Sequence, residues 1–244
     1  DQIYDMWIET ELAQGARPGQ FVCVYTKNAA ALLPRPISIC EVNEEKTMLR
    51  LVYRTVGTGT NEFAAYHAGT EISLLGPLGN GFPVEKAAGK RVFLIGGGIG
   101  IPPMLQLSKE IKKAGQAYCE LSVLGYRNEL FLNTDLEKYS QVYVATEDGS
   151  AGTKGTVLDA IKEKGLSGDV IFACGPMPML RAIKEYAAAN NMEAYISLEE
   201  HMACGVGACL GCVCKTKNVD AHSHVHNSRI CTDGPVYNAE EVEI

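Results

Sequence analysis

Short apolar and β-branched runs recur through the first third of the chain, at Phe21 to Tyr25, Ile37 to Val42, Met48 to Tyr53 and Glu71 to Leu75. Between them stand Arg17-Pro18-Gly19, Asn43-Glu44-Glu45 and the stretch Gly76 to Gly81, which suit hairpin turns and loops. The pattern predicts an antiparallel barrel or sandwich over residues 1–87, with no opening strand ahead of Phe21. Near Ala88 the pattern changes. Arg91 to Ile95 is a continuous apolar run of the kind buried on both faces of a sheet. Gly96 to Gly100 follow, then a helical segment with Met104, Leu107 and Ile111 on one side, stopped by Gly115. Leu121 to Leu124, Val142 to Ala145 and Val170 to Ala173 read as further strands, and Thr156 to Lys164 and Met177 to Ala189 as helices. Such alternation predicts a doubly wound parallel sheet over residues 88–197. It stops at Ser197, leaving residues 198–244 as a small third unit. The expected class is β + α/β.

Composition narrows the picture. The chain has 244 residues, 46% hydrophobic and 21% charged, which excludes a disordered chain or a coiled coil. Acidic residues outnumber basic ones by 29 to 22, and no Lys/Arg run occurs, so no nucleic-acid partner is expected. No apolar stretch reaches the length of a membrane helix and no signal peptide is read at Asp1, so the expectation is a soluble, cytoplasmic protein.

Five of the nine cysteines fall between Cys204 and Cys231. Cys204, Cys209 and Cys212 form C-x4-C-x2-C, and Cys231 follows after 18 intervening residues. That is the ligand order of plant-type 2Fe-2S clusters, whereas four-thiolate zinc sites favour two close pairs. Gly205, Gly207 and Gly211 suit the close approach of backbone N–H groups to sulfur. Cys214 reads as a small packing residue leaving the site on a strand. His222, His224 and His226 read as a solvated loop, and His201 as a surface histidine.

Two other regions offer binding chemistry. Arg35-Pro36-Ile37-Ser38 puts a cation and a hydroxyl at the start of a strand, able to address a pyrophosphate and a flavin edge. Val52-Tyr53-Arg54 and Gly57-Thr58-Gly59-Thr60 add a cation and free backbone donors. Thr60 and Asn61 could cap a helix running through Phe63 and Tyr66. Ordinary turns use these residues too. Gly96, Gly97, Gly98 and Gly100 join a strand to a helix where a nucleotide phosphate could approach, although tight strand–helix packing uses the same glycines. The run departs from G-x-G-x-x-G, with Ile101 in the way and Arg127 near the second strand instead of an acid. Cys174-Gly175-Pro176-Met177 ends another strand at the ligand-binding edge of the sheet.

Taken in order, these motifs resemble the ferredoxin–NADP reductase superfamily: a flavin-binding β-barrel, a nucleotide domain and, here, an iron–sulfur tail. Met202-Ala203-Cys204-Gly205-Val206-Gly207-Ala208-Cys209 and Cys231-x-Asp233-Gly234-Pro235-Val236 are similar to the electron-transfer subunits of type B dihydroorotate dehydrogenases. The resemblance spans the whole chain. It implies FAD on Arg35, Pro36, Ile37, Ser38, Val52, Tyr53, Arg54, Gly59 and Thr60, with Ile37 where an aromatic residue often stacks. It implies NAD at Gly96, Gly97, Gly98, Gly100, Cys174, Gly175, Pro176 and Met177, and a 2Fe-2S cluster on Cys204, Cys209, Cys212 and Cys231. No catalytic side chain is certain; Cys174 is the candidate for a place near nicotinamide and flavin. The implied partner is an FMN-containing catalytic subunit, in a heterotetramer of two subunits of each kind, with electrons passing from FMN through cluster and FAD to NAD+. The gap before Cys231 is longer than the family pattern. Two rivals stand beside this reading: a related FAD/2Fe-2S NAD(P)H oxidoreductase serving a ferredoxin or another redox partner, and a redox sensor.

Overall fold

A computed structural model describes residues 2–220 and 224–244. The chain opens on a strand after all, β1 (Ile3–Glu9), followed by β2 (Phe21–Val24), β3 (Arg35–Val42) and β4 (Met48–Arg54). Helix α1 (Thr58–Ala64) and strand β5 (Leu74–Leu78) complete an antiparallel sheet of order β1-β4-β3-β2-β5. The expectation of no strand before Phe21 was wrong for a physical reason. Tyr4, Met6 and Ile8 do alternate inward onto the sheet's core. The outward face, however, carries Trp7, 41% exposed between Asp5 and Glu9, and it blurs the pattern. Strand β5 lies three residues later than expected. Gly76 and Pro77 read as a loop, but β5 pairs only with β2, and an edge strand tolerates proline.

The second sheet has order β14-β11-β10-β6-β7-β8-β9. Strand β6 (Arg91–Gly97) leads into α2 (Pro102–Ala114), where Pro102 starts the helix and Gly115 ends it in a left-handed conformation. Then come β7 (Cys119–Tyr126), a short helix α3 (Asn133–Leu136), β8 (Gln141–Thr146) and β9 (Thr153–Lys154). Helix α4 (Val157–Glu163) begins at a reciprocal cap: Thr156 Oγ1 accepts from Asp159 N–H at 3.3 Å, and the Asp159 carboxylate accepts from Thr156 N–H at 2.8 Å. Strand β10 (Val170–Cys174), α5 (Met177–Ala189) and β11 (Glu193–Ser197) close the alternation. Strands β6 to β11 pair in parallel, with one core on the α4/α5 face and another on the α2 face. Past Arg91 both faces of β6 are buried, as are both faces of β10, which is why residues 92–95 and Val170–Cys174 are uniformly apolar.

The tail forms β12 (Val213–Lys215) and β13 (Asn227–Arg229), paired antiparallel. Strand β14 (Val236–Asn238) then runs antiparallel along β11, so the tail completes the second sheet. Asn80, just past β5, clasps this return. Its amide nitrogen donates to the Asp233 and Val236 carbonyls at 2.9 Å each, and its amide oxygen accepts from Val236 N–H at 3.0 Å. His224 and His226 are exposed, as expected of a solvated loop, and His222 lies outside the described residues.

Candidate functional site

The carboxyl ends of the parallel strands open on a cavity of about 690 Å³, roofed by the antiparallel sheet. Arg35, Pro36, Ile37 and Ser38 reach it from the start of β3, and Val52, Tyr53 and Arg54 from the end of β4. Register explains the grouping, because β3 and β4 are neighbours in the sheet and present adjacent ends to one place. Thr60 also lines the cavity, while Gly59 lies behind, packed against the Arg35 side chain. Thr60 does not start α1. Its hydroxyl accepts from Val56 N–H at 3.0 Å and Gly57 N–H at 3.2 Å, so Gly57 is the capping position and the turn is tightened from within.

Gly97, Gly98 and Gly100 come to the cavity from the β6–α2 turn, and Gly175 and Pro176 from the β10–α5 turn. Strands β6 and β10 pair with Gly96 opposite Cys174, which sets the two turns side by side. A Cβ on Gly100 would collide with the Cys174 carbonyl, so that glycine serves close packing as well as access. Gly96, Cys174 and Met177 stand behind this surface. Cys174 is fully buried, and loss of hydration, with the nearby Glu199 carboxylate adding to it, pushes its thiol up and keeps it protonated.

Several wall residues were not singled out in the sequence. Arg127, noted there only for standing where an acid is usual, joins Glu147, Thr156 and Val157 on one side, and Glu199, Glu200 and Met202 line another. All follow strand ends of the parallel sheet, the one signal that could have found them. Glu199 is exposed as a residue, yet its carboxyl sits against the cavity wall, and lost hydration raises its pKa.

Residues 199–202 lead directly into the cysteine loop. Cys204 Sγ accepts from the N–H groups of Val206 and Cys209, both at 3.4 Å. Gly211 N–H reaches Cys209 Sγ at 3.4 Å and Gly207 N–H reaches Cys231 Sγ at 3.1 Å. Donors on its sulfur, Val206 N–H foremost, lower the Cys204 thiol to about 6, while burial raises that of Cys231. Arg229 fixes the turn around Cys231, its Nε 3.0 Å from the Asp233 carboxylate. Among the described residues, no three His, Cys, Asp or Glu side chains converge on a single metal ion. The four thiols face one another within the loop: Cys204 lies against Cys209, and Cys231 against Cys212 with Cys204 close enough to act on it. Cys214 is half-buried beside Tyr237, in keeping with a packing role.

Does this chain suit the groups its motifs imply? Arg54 Nε is buried beside the cavity without a hydrogen-bond partner among the described residues, a donor suited to an anion such as a flavin phosphate. The cysteine loop supplies thiolate-stabilising N–H groups where an iron–sulfur cluster needs them. Both fit.

Comparison with known proteins gives the same parts. The family model for the iron–sulfur cluster binding domain of dihydroorotate dehydrogenase B matches residues 199–243, and the oxidoreductase NAD-binding domain matches residues 94–185. A protein of Geobacillus sp. (strain WCH70), named dihydroorotate dehydrogenase B (NAD(+)), electron transfer subunit, is 42% identical over 98% of this chain and 92% of its own. Its namesake in Bacillus velezensis is 43% identical over 100% and 94%. A solved NADH-dependent reduced ferredoxin–NADP oxidoreductase, studied for flavin-based electron bifurcation, superposes with a TM-score of 0.88 at 29% identity, covering 100% of this chain and 86% of that one. The flavohemoglobin of Malassezia yamatoensis, at 19% identity and a TM-score of 0.64 over 78% and 53%, shares the fold.

Proposed function

Since the chain belongs to the family of electron-transfer subunits of dihydroorotate dehydrogenase B, we propose that it carries electrons released from dihydroorotate in a partner subunit to NAD+, in pyrimidine biosynthesis. Its groups are FAD, a 2Fe-2S cluster and NAD, which when bound supply the one-electron and hydride chemistry that side chains lack. The observation that carries the reading is a single cavity walled from three sources: the β3–β4 ends, the two glycine turns, and the segment entering the cysteine loop.

Within it, Arg35 and Arg54 hold the flavin phosphates, Arg54 through its buried, unpaired Nε. Pro36, Ile37, Ser38, Val52, Tyr53, Gly59 and Thr60 complete the flavin site. Gly96, Gly97, Gly98 and Gly100, with Cys174, Gly175, Pro176 and Met177, admit the nucleotide, and Cys174 shapes that wall as a neutral thiol. Cys204, Cys209, Cys212 and Cys231 hold the cluster. The units are 1–87 for FAD, 88–197 for NAD and 198–244 for the cluster. The partner is an FMN-containing catalytic subunit, two copies of each chain forming the complex. No helix among the described residues is long and apolar enough to cross a membrane. A cytoplasmic location suits nine cysteines of which none forms a disulfide among the described residues.

The deciding experiment uses the native complex, purified anaerobically. Dihydroorotate and NAD+ are added while NADH formation and bleaching of the flavin and cluster bands are followed. Bleaching coupled to NADH production is the expected result. The ferredoxin-serving alternative, favoured by the 0.88 structural match, predicts bands that bleach with NADH and never with dihydroorotate. Cys209→Ala should retain FAD and lose NADH formation from dihydroorotate; a variant that kept that activity would sink the assignment.

A further inference from the structure

The antiparallel sheet does more than cover the cavity. Its strand β2 lies between the two redox sites proposed above. On one side Cys23 pairs across the sheet with Pro36 of β3, which lines the cavity. On the other, its sulfur sits 2.9 Å from where a Cβ on Gly205 would stand, with Leu78 Cδ1 of β5 at 3.1 Å from the same point. Gly205 follows Cys204 and has φ +71°. Cys23 is fully buried, and it shares one core with Phe21, Cys212 and Cys231.

We propose that Cys23, with Leu78, is a positioning residue that seats the Gly205 turn and so fixes how far the cysteine loop stands from the flavin-lining strand. The proposal rests on the placement of FAD at β3 and of the cluster on Cys204, Cys209, Cys212 and Cys231. Three residues in contact span the gap: Gly205, Cys23 and Pro36. The glycine lets the loop close on the sheet, and Cys23 is small enough to accept it. Cys23 and Gly205 are both buried, so water is excluded where the loop meets the sheet, while Pro36 on the far side opens on the cavity. Each transfer along it moves one electron, oxidising the donor by one and reducing the acceptor by one, with no bond made or broken. Any side chain larger than Cys at position 23 must push the Cys204 turn outward, and a site left an ångström loose loses function steeply.

The test uses the intact complex with Cys23→Ser, Cys23→Val and Cys23→Leu, each assayed for iron, sulfide and FAD content, for the electron paramagnetic resonance signal of the reduced cluster, and for rapid-mixing kinetics with NADH. Cys23→Ser should match the parent throughout. Cys23→Leu should keep FAD and be reduced by NADH at the parent rate in the flavin band. Its cluster band should bleach roughly tenfold more slowly, within the hundredfold that an ångström of misplacement can cost, and its resonance signal should shift. If Cys23→Leu fails to assemble, Cys23→Val carries the measurement. A variant that keeps FAD but assembles no cluster supports the seat as well. Parent-like bleaching and an unshifted signal in both larger variants would overturn it, as would joint loss of FAD and cluster, which marks a general folding role. A parent complex lacking iron, sulfide or FAD would instead refute the cofactor assignment on which the proposal stands.

Discussion

At the scale of single residues, Arg54 and Glu120 make opposite cases about buried charge. Arg54 Nε has no partner among the described residues, and the flavin phosphate proposed above would supply one. Arg54→Gln should weaken FAD retention roughly tenfold to a hundredfold, the worth of a charge-assisted hydrogen bond, as read from the flavin-to-protein ratio after dialysis. Undiminished retention would remove Arg54 from the flavin site. Glu120, 8% exposed on β7, is held up to about 7 by burial, against the opposing pull of the Ser108 hydroxyl at 3.1 Å and the Lys112 charge. The unfolded chain ionises this carboxyl near 4.5 while the folded one keeps its proton. Stability therefore falls as pH rises from about 4.5 through 7, by roughly 3 kcal/mol in full. Glu120→Gln retains the Ser108 contact and should remove that slope, so its Tm advantage over the parent should grow between pH 5 and pH 8. A constant difference across that range would mean that Glu120 titrates normally. The sequence disclosed chemistry of a different kind. The four cysteines and Arg35 to Ser38 stood out because their type and spacing are unusual. Glu120, Glu147 and Glu199 carry no such mark, because burial and a place in a cavity wall come from the fold alone.

Elements depend on how charge is pinned between them. Arg50 of β4 bonds Asp5 of β1 at 2.7 Å, Glu41 of β3 at 3.1 Å and Asp135 of α3 at 3.1 Å, with its side chain 13% exposed. Lys109 of α2 reaches Glu41 at 3.3 Å and donates to the Val42 carbonyl at 2.9 Å. One knot thus ties the antiparallel sheet to the parallel unit below it and holds the β4 end that presents Tyr53 and Arg54. Arg50→Met leaves three carboxylates short of their shared cation. It should cost roughly 3 kcal/mol, seen as a lower urea midpoint, because a broken partly buried pair strands its partner charges. An unchanged midpoint would show the knot to be a surface feature. Elements were legible to the degree that burial is uniform. The strands β6, past Arg91, and β10 are apolar and were read directly, as was α2 up to its glycine stop. Strand β1 escaped because an edge strand shows one face to water and Trp7 sits on that face. Strand β14 escaped because three residues returning from a cysteine loop have no period to read; the clasp by Asn80, far away in sequence, is what places them.

For the whole molecule, the question is where electrons enter. The cavity is walled by both sheets, and the exposed part of the cysteine loop lies at Cys209. Flanking it, Val206 and Leu210 are 51% and 58% exposed. Large apolar side chains grouped around a cysteine proposed to hold the cluster signal a surface made to be covered, and the covering subunit is where electrons would come from. Leu210→Asp should therefore bind FAD and cluster normally and still be reduced by NADH, yet fail to co-purify with the catalytic subunit. Tyr118 supplies the control: it is 80% exposed and precedes β7, at the opposite end of the parallel strands from the cavity. Tyr118→Asp introduces the same charge at a comparably exposed apolar position and should leave assembly intact. Size-exclusion chromatography of the two variants with the partner separates the outcomes. Assembly lost in the first alone places the interface over the cluster; assembly lost in neither would put the entry point for electrons somewhere other than the Cys209 loop.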